Sequence, residues 1–142
     1  MGSGIACHFA NIGVEVLLLD IIPRELSKAE EAQNLTLEDT QVRNRIVNES
    51  LKTSLKSKPS PIYDQSFAER ISTGNLEDNL EDIKDVDWVI EVVVERLDIK
   101  KQVFEKIEKF RKKGSLITSN TSGIPIKFMN EGRSEDFQKH FA

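Results

Sequence analysis

Hydrophobic spacing along the chain alternates between two periods. Ile5, Phe9 and Ile12 recur at i, i+4 and i+7 with Ala6 and Ala10 beside them, which predicts a short helix that Gly13 ends. "VEVLLLD" follows as a nearly unbroken apolar run closing on Asp20, the pattern of a parallel strand buried on both faces. Residues 23–57 are polar and helix-prone, with Pro23 suited to a first helical turn and "VRNRIVNESLKTSL" amphipathic. The prolines of "KSKPSPIYDQ" predict a loop, and "RISTGNLEDNL" predicts a short strand, a turn at Gly74 and a short helix. "VDWVIEVVVE" is the strongest strand signal in the chain. Ile99, Val103, Ile107 and Phe110 then form a helical stripe that closes on basic residues and Gly114. "SLITSNTS" predicts a further strand opening into a polar loop. Strands alternating with helices predict an α/β fold with a doubly wound parallel sheet.

Composition narrows the class. The 142 residues leave room for one domain with a core, and 38% hydrophobic with 31% charged residues is far from disorder. A formal net charge of −4, with no evidently basic face, argues against nucleic acid as the main partner. The single cysteine, Cys7, excludes an internal disulfide and fits a reducing compartment. No apolar run approaches membrane-spanning length and no secretion signal opens the chain, so a cytoplasmic location is expected. The sequons at Asn34, Asn48 and Asn120 therefore carry no weight.

The chemistry starts with "MGSGIA". Glycines at a helix N-terminus let backbone N–H groups approach a phosphate closely. An acid closing the next strand can accept hydrogen bonds from an adenosine ribose, and Gly2 and Asp20 are spaced for that pair. A carboxylate there repels a 2′-phosphate and so favours NAD over NADP. The plainer reading is an N-terminal loop and a strand-end cap. Likewise Glu95 and Lys100 alone would be a solvated ion pair at a helix start. Asn120 and Ser122 alone would be an ordinary turn after a strand.

Taken together, "MGSGIA", "EVVVERLDIKKQVFEKIE" and "LITSNTSGIPI", in that order and spacing, resemble the NAD-binding domain of the L-specific 3-hydroxyacyl-CoA dehydrogenases of fatty-acid β-oxidation. The resemblance is especially close to the long bacterial members and runs essentially from residue 1 to 142. It implies a Rossmann-like domain in which Gly2, Ser3 and Gly4 form the tail of the pyrophosphate loop and Asp20 holds the adenosine ribose. It also implies that Glu95 and Lys100 lie near the nicotinamide end, facing one cleft. Asn120 and Ser122 would reach the nicotinamide and the substrate hydroxyl, orienting the reacting alcohol. Gly123 stands where the family often has a second serine, leaving the turn looser. Ser50 and the lysines of "LKTSLKSKPS" fall in the region that contacts CoA, though a solvated helix face accounts for them as well.

In the family the base for the hydroxyl proton is a His in an H-F-F-N-P stretch, with a Glu partner further on. Neither His8, inside the first predicted helix, nor His140, in "KHF", has that context. The resemblance thus implies that the first strand and first glycines lie upstream of Met1. The His–Glu pair and a helical domain for acyl-CoA binding and homodimerisation would lie beyond Ala142. The chain alone would then show little or no dehydrogenase activity. A non-catalytic dinucleotide-binding module and another NAD-dependent hydroxyacid dehydrogenase are the alternatives. "EVVVERLDIKK" and "SNTSGIP" speak against the latter.

Overall fold

A computed structural model describes residues Met1–Ala142 in full. The chain packs as two units, Met1–Asn79 and Leu80–Ala142.

The first unit begins with α1 (Gly2–Asn11) and β1 (Val16–Asp20). The face that α1 buries is Ser3, Ala6, Cys7 and Ala10. The expected Ile5/Phe9/Ile12 stripe lies to one side of it, and Ile12 is 62% exposed. The choice follows from size, because small side chains let the helix axis approach the strands closely. Ala6, Cys7 and Ala10 pack with Ile62 and Ile71, flanked by Val16, Leu18, Leu51, Leu55 and Phe67. Gly13, at φ +87°, ends α1 as expected, with the Val14 N–H donating to the Phe9 carbonyl at 3.1 Å. Arg70 adds a cap by donating to the Ala10 carbonyl at 2.5 Å, its guanidinium lying 4.3 Å from the Phe67 ring centre.

The polar stretch that follows divides into α2 (Lys28–Ala32), α3 (Thr40–Arg43) and α4 (Arg45–Lys56). Pro23 opens none of them. Helix α2 starts after Ser27, whose hydroxyl accepts from the Glu30 N–H while the Glu30 carboxylate accepts from the Ser27 N–H at 2.7 Å. Strand β2 (Ile71–Asn75) pairs in parallel with β1, from Val16 opposite Ile71 to Asp20 opposite Asn75. Gly74 lies inside this strand and not in a turn: a Cβ there would sit 2.5 Å from the Asn79 Oδ1. The turn comes after Asn75, whose Oδ1 accepts from the Glu77 and Asp78 N–H groups at 3.0 and 2.7 Å. Arg43 grips Asp78 through two bonds of 2.7 and 2.8 Å, and with Asn75 it holds that carboxyl down at about 2.

In the second unit, β3 (Trp88–Glu91) and β4 (Leu116–Ser119) pair in parallel through α5 (Leu97–Phe110), with α6 (Ile126–Asn130) and α7 (Glu135–Lys139) following. The expected ten-residue strand stops at Glu91, because the Glu91 carboxylate accepts from the Val93 N–H at 2.6 Å and turns the chain. Helix α5 buries Lys100, Phe104 and Ile107, while Phe110 is 36% exposed. Phe104, Phe137 and Phe141 form an aromatic trio with ring centres 5.0–5.7 Å apart. Residues 140–142 lie parallel along β4, tied by Ile117 N–H to His140 carbonyl and Ala142 N–H to Ile117 carbonyl, each 2.9 Å. No helix is long and apolar enough to cross a membrane.

Gly74→Ala should lower stability by about 1–3 kcal/mol, since the new methyl group must displace the Asn79 side chain from the Asn75 N–H. Urea denaturation of the variant beside the parent chain measures it.

Candidate functional site

The candidate residues of the first unit meet at the carboxyl end of its sheet. A short connection after α1 reverses the chain into β1. A ten-residue helix and a five-residue strand are both roughly 15 Å long. The Gly2 end of α1 and the Asp20 end of β1 therefore share one edge. Helix α1 opens at Gly2, and its first turn carries no acidic residue to occupy the positive end of the helix. Nothing lies within 4 Å of where a Gly4 Cβ would be. Ser3 turns its hydroxyl inward, 2.6 Å from the Ser54 hydroxyl, and accepts from Ser50 at 3.2 Å. Ser50, expected in the CoA-contacting region, thus spends its hydroxyl fastening α4 to α1, while Lys52, Lys56 and Lys58 are exposed. The Asp20 Oδ1 accepts from the Ile21 N–H at 2.8 Å, which orients the carboxylate without neutralising it.

In the second unit the site is built on a buried ion pair. Glu91 ends β3 and Lys100 sits in the first turns of α5; neither side chain has any exposed surface. The Lys100 Nζ donates to both Glu91 oxygens, at 2.8 and 2.9 Å. It also reaches 3.5 Å from the Glu95 Oε2. A charge out of water is tolerated only when paired and hydrogen-bonded, and Glu91 does both for Lys100. Its remaining acceptor capacity takes the Val93 N–H and the Ser119 hydroxyl.

Glu95 works on the loop after β4. Its Oε1 accepts from the Thr121 hydroxyl, from the Ser122 N–H at 3.2 Å and from the Gly123 N–H at 2.9 Å. These bonds, led by Thr121 and Gly123 and helped by Lys100, hold its carboxyl down at about 2. Asn120 and Ser122 are thereby presented on an exposed loop at the carboxyl end of β4, with the Asn120 N–H on the Glu91 carbonyl at 2.8 Å.

The structure thus gathers Glu95, Lys100, Asn120 and Ser122 into one cluster, but Lys100 faces Glu91 and not an open cleft. Glu91, Ser119 and Thr121 belong to the cluster and went unread in the sequence. Their signal was there: an acidic residue inside the most apolar strand demands a buried partner. His140 has its Nδ1 2.7 Å from the Asp136 carbonyl, and His8 is exposed on α1. Cys7 is buried, which pushes its thiol up. No group of three or more His, Cys, Asp or Glu residues is placed to hold a metal ion.

Residues 1–142 match the family model described as "3-hydroxyacyl-CoA dehydrogenase, NAD binding domain". The chain is 51% identical over 141 residues to a probable 3-hydroxyacyl-CoA dehydrogenase of Bacillus subtilis, and 44% identical over 141 residues to one of Deinococcus radiodurans. Each alignment covers 99% of this chain, but only 18% and 37% of those proteins, so the chain spans well under half of either relative. Among solved structures, the (S)-3-hydroxybutyryl-CoA dehydrogenase of Ralstonia eutropha superposes with a TM-score of 0.62 at 27% identity. That match covers 99% of this chain and 44% of the other. The fold is accordingly Rossmann-like.

The Glu95 carboxyl is held below its ordinary 4.5, so its bonds favour the folded loop above about pH 4.5 and are lost as pH falls toward about 2. Glu95→Gln should abolish that pH dependence at the Ser122 and Gly123 amides, read by NMR shift against pH. At Gly123 a Cβ would lie 3.5 Å from the Glu95 Oε1, an ordinary contact, and φ is not positive. Gly123→Ser should therefore be accommodated, raising stability by about 0.4–1 kcal/mol in thermal unfolding.

Proposed function

Since the chain belongs to the 3-hydroxyacyl-CoA dehydrogenase family, as its NAD-binding domain, we propose that it serves an oxidoreductase that converts 3-hydroxyacyl-CoA to 3-ketoacyl-CoA in fatty-acid β-oxidation. The observation that carries this reading is the clasp of Glu95 on residues 121–123, which presents Asn120 and Ser122 at the carboxyl end of β4. In open α/β sheets, ligands bind at the carboxyl ends of the strands.

The residues present fit NAD. The Asp20 carboxylate is oriented yet unneutralised, as a partner for ribose hydroxyls must be, and the opening of α1 combines main-chain N–H groups with unobstructed space at Gly4. NAD, when bound, supplies the acceptor for the hydride leaving the 3-carbon. Gly2, Ser3 and Gly4 bind pyrophosphate through the main chain, and Asp20 binds the adenosine ribose. Glu95 and Lys100 shape the nicotinamide end. Ser122 and Asn120 orient the substrate hydroxyl without competing for its proton. That proton goes to neither histidine of this chain in this reading: His140 is turned onto the Asp136 carbonyl, and His8 is on the outside of α1. The enzyme is cytoplasmic, takes an acyl-CoA thioester, and pairs with a second copy through a helical domain.

A thermal-shift titration of the chain with NAD⁺ tests the reading, because a ligand of the folded state must raise the melting temperature. A saturable shift is expected, with Asp20→Ala binding roughly ten- to a hundredfold more weakly, as loss of a charge-assisted bond implies. NADP⁺ should bind more weakly than NAD⁺. A folded chain with no shift, or identical shifts in parent and variant, would overturn it.

A further inference from the structure

Each residue from Ser119 to Gly123 donates a hydrogen bond to one of two carboxylate residues. The Ser119 hydroxyl donates to the Glu91 side chain, and the Asn120 N–H to the Glu91 carbonyl. The Thr121 hydroxyl and the Ser122 and Gly123 N–H groups donate to the Glu95 Oε1. Between the two stands a single ammonium, that of Lys100, at 2.8 Å from Glu91 and 3.5 Å from Glu95. The Lys100 side chain has no exposed surface, and the two carboxylates it joins are the ones that receive the loop's donors.

We propose that Glu91 is a positioning residue for the Asn120–Ser122 loop, acting by fixing the Lys100 ammonium that in turn seats Glu95. The inference rests on the reading of Asn120 and Ser122 as the residues that meet the nicotinamide and the substrate. Glu91 touches neither. Its carboxylate is filled by Lys100, Val93 and Ser119, and it sits at the end of β3 where a shift would be felt along the whole loop. Without Glu91 the buried ammonium keeps only the Val93 carbonyl and the Glu95 Oε2, each at 3.5 Å, so it must close on Glu95 and draw that carboxylate away from its seat on the loop amides. Without Lys100, Glu95 loses its anchor to α5, and the Ser122 and Gly123 amides are then held only by a carboxylate free to swing away.

The test uses the 142-residue chain and two variants, Glu91→Gln and the neutral pair Glu91→Gln/Lys100→Met, which leaves no buried charge unpaired and so guards against simple unfolding. Amide hydrogen exchange is followed by NMR without ligand. In both variants the Ser122 and Gly123 amides should exchange at least about tenfold faster than in the parent, while the Ile117 amide within β4 keeps its protection. Unchanged exchange at Ser122 and Gly123, or a uniform rise that includes Ile117, would overturn the proposal; so would failure of both variants to fold, since the pair would then serve the fold as a whole. An NAD⁺ titration of the neutral pair separates the two readings. A loosened loop with several-fold weaker binding supports both. A loosened loop with unchanged affinity keeps the clamp and overturns the assignment of that loop to the nicotinamide.

Discussion

A primary ammonium with no surface exposed to water is the costliest feature of this chain, and Lys100 carries it. Desolvating such an ion costs several kcal/mol before any partner is supplied. The arrangement around it follows from meeting that cost. Glu91 must be buried with it, so β3 ends on an acid instead of continuing through Val92, Val93 and Val94. Helix α5 must present Lys100 inward, so its buried face turns to Lys100, Phe104 and Ile107. The loop after β4 supplies the remaining donors. A stabilising pair of apolar residues could fill the same volume, which is why the ion pair speaks for position more than for strength.

The first unit solves a different problem with smaller means. Helix α1 approaches its strands through Ser, Ala and Cys and leaves its larger apolar residues to the side, which keeps its opening close to the end of β1. Asp20 and the start of α1 thereby come to one edge without any ion pair. The polar hub at Asn75, Asp78 and Arg43 then pins the turn that leaves β2. Both units place their candidate residues after the carboxyl ends of parallel strands, the position from which open α/β sheets recruit ligands.

Much of this was legible in the residues. The alternation of periods gave every strand and the long helices, because runs such as "VEVLLLD" and the α5 stripe satisfy one period only. Gly13 ended its helix where expected, at positive φ, whereas α5 stops at Phe110 and Gly114, also at positive φ, belongs to the turn that leads into β4. Boundaries set by side-chain hydrogen bonds were not legible: Ser27 rather than Pro23 starts α2, and Glu91 stops β3 through the Val93 N–H. Gly74 read as a turn because glycine marks turns more often than close contacts; its reason is the Asn79 side chain lying across it. The loop residues of the candidate site were legible through their motif, but their support was not. Glu91 and Lys100 are nine residues apart, a spacing that no helical or strand period announces.

The support of the loop after β4 depends on Lys100 being held as an ammonium between Glu91 and Glu95. Its side-chain N–H protons are observable by heteronuclear NMR in the unmodified chain near neutral pH. The geometry predicts a resolved, slowly exchanging Lys100 ammonium signal with cross-relaxation to the protons of Glu91 and Ser119, unlike the solvent-averaged signals of exposed lysines such as Lys52 and Lys56. A Lys100 signal that exchanges as fast as theirs would contradict it, and the loop holding Asn120 and Ser122 would lack the anchor described.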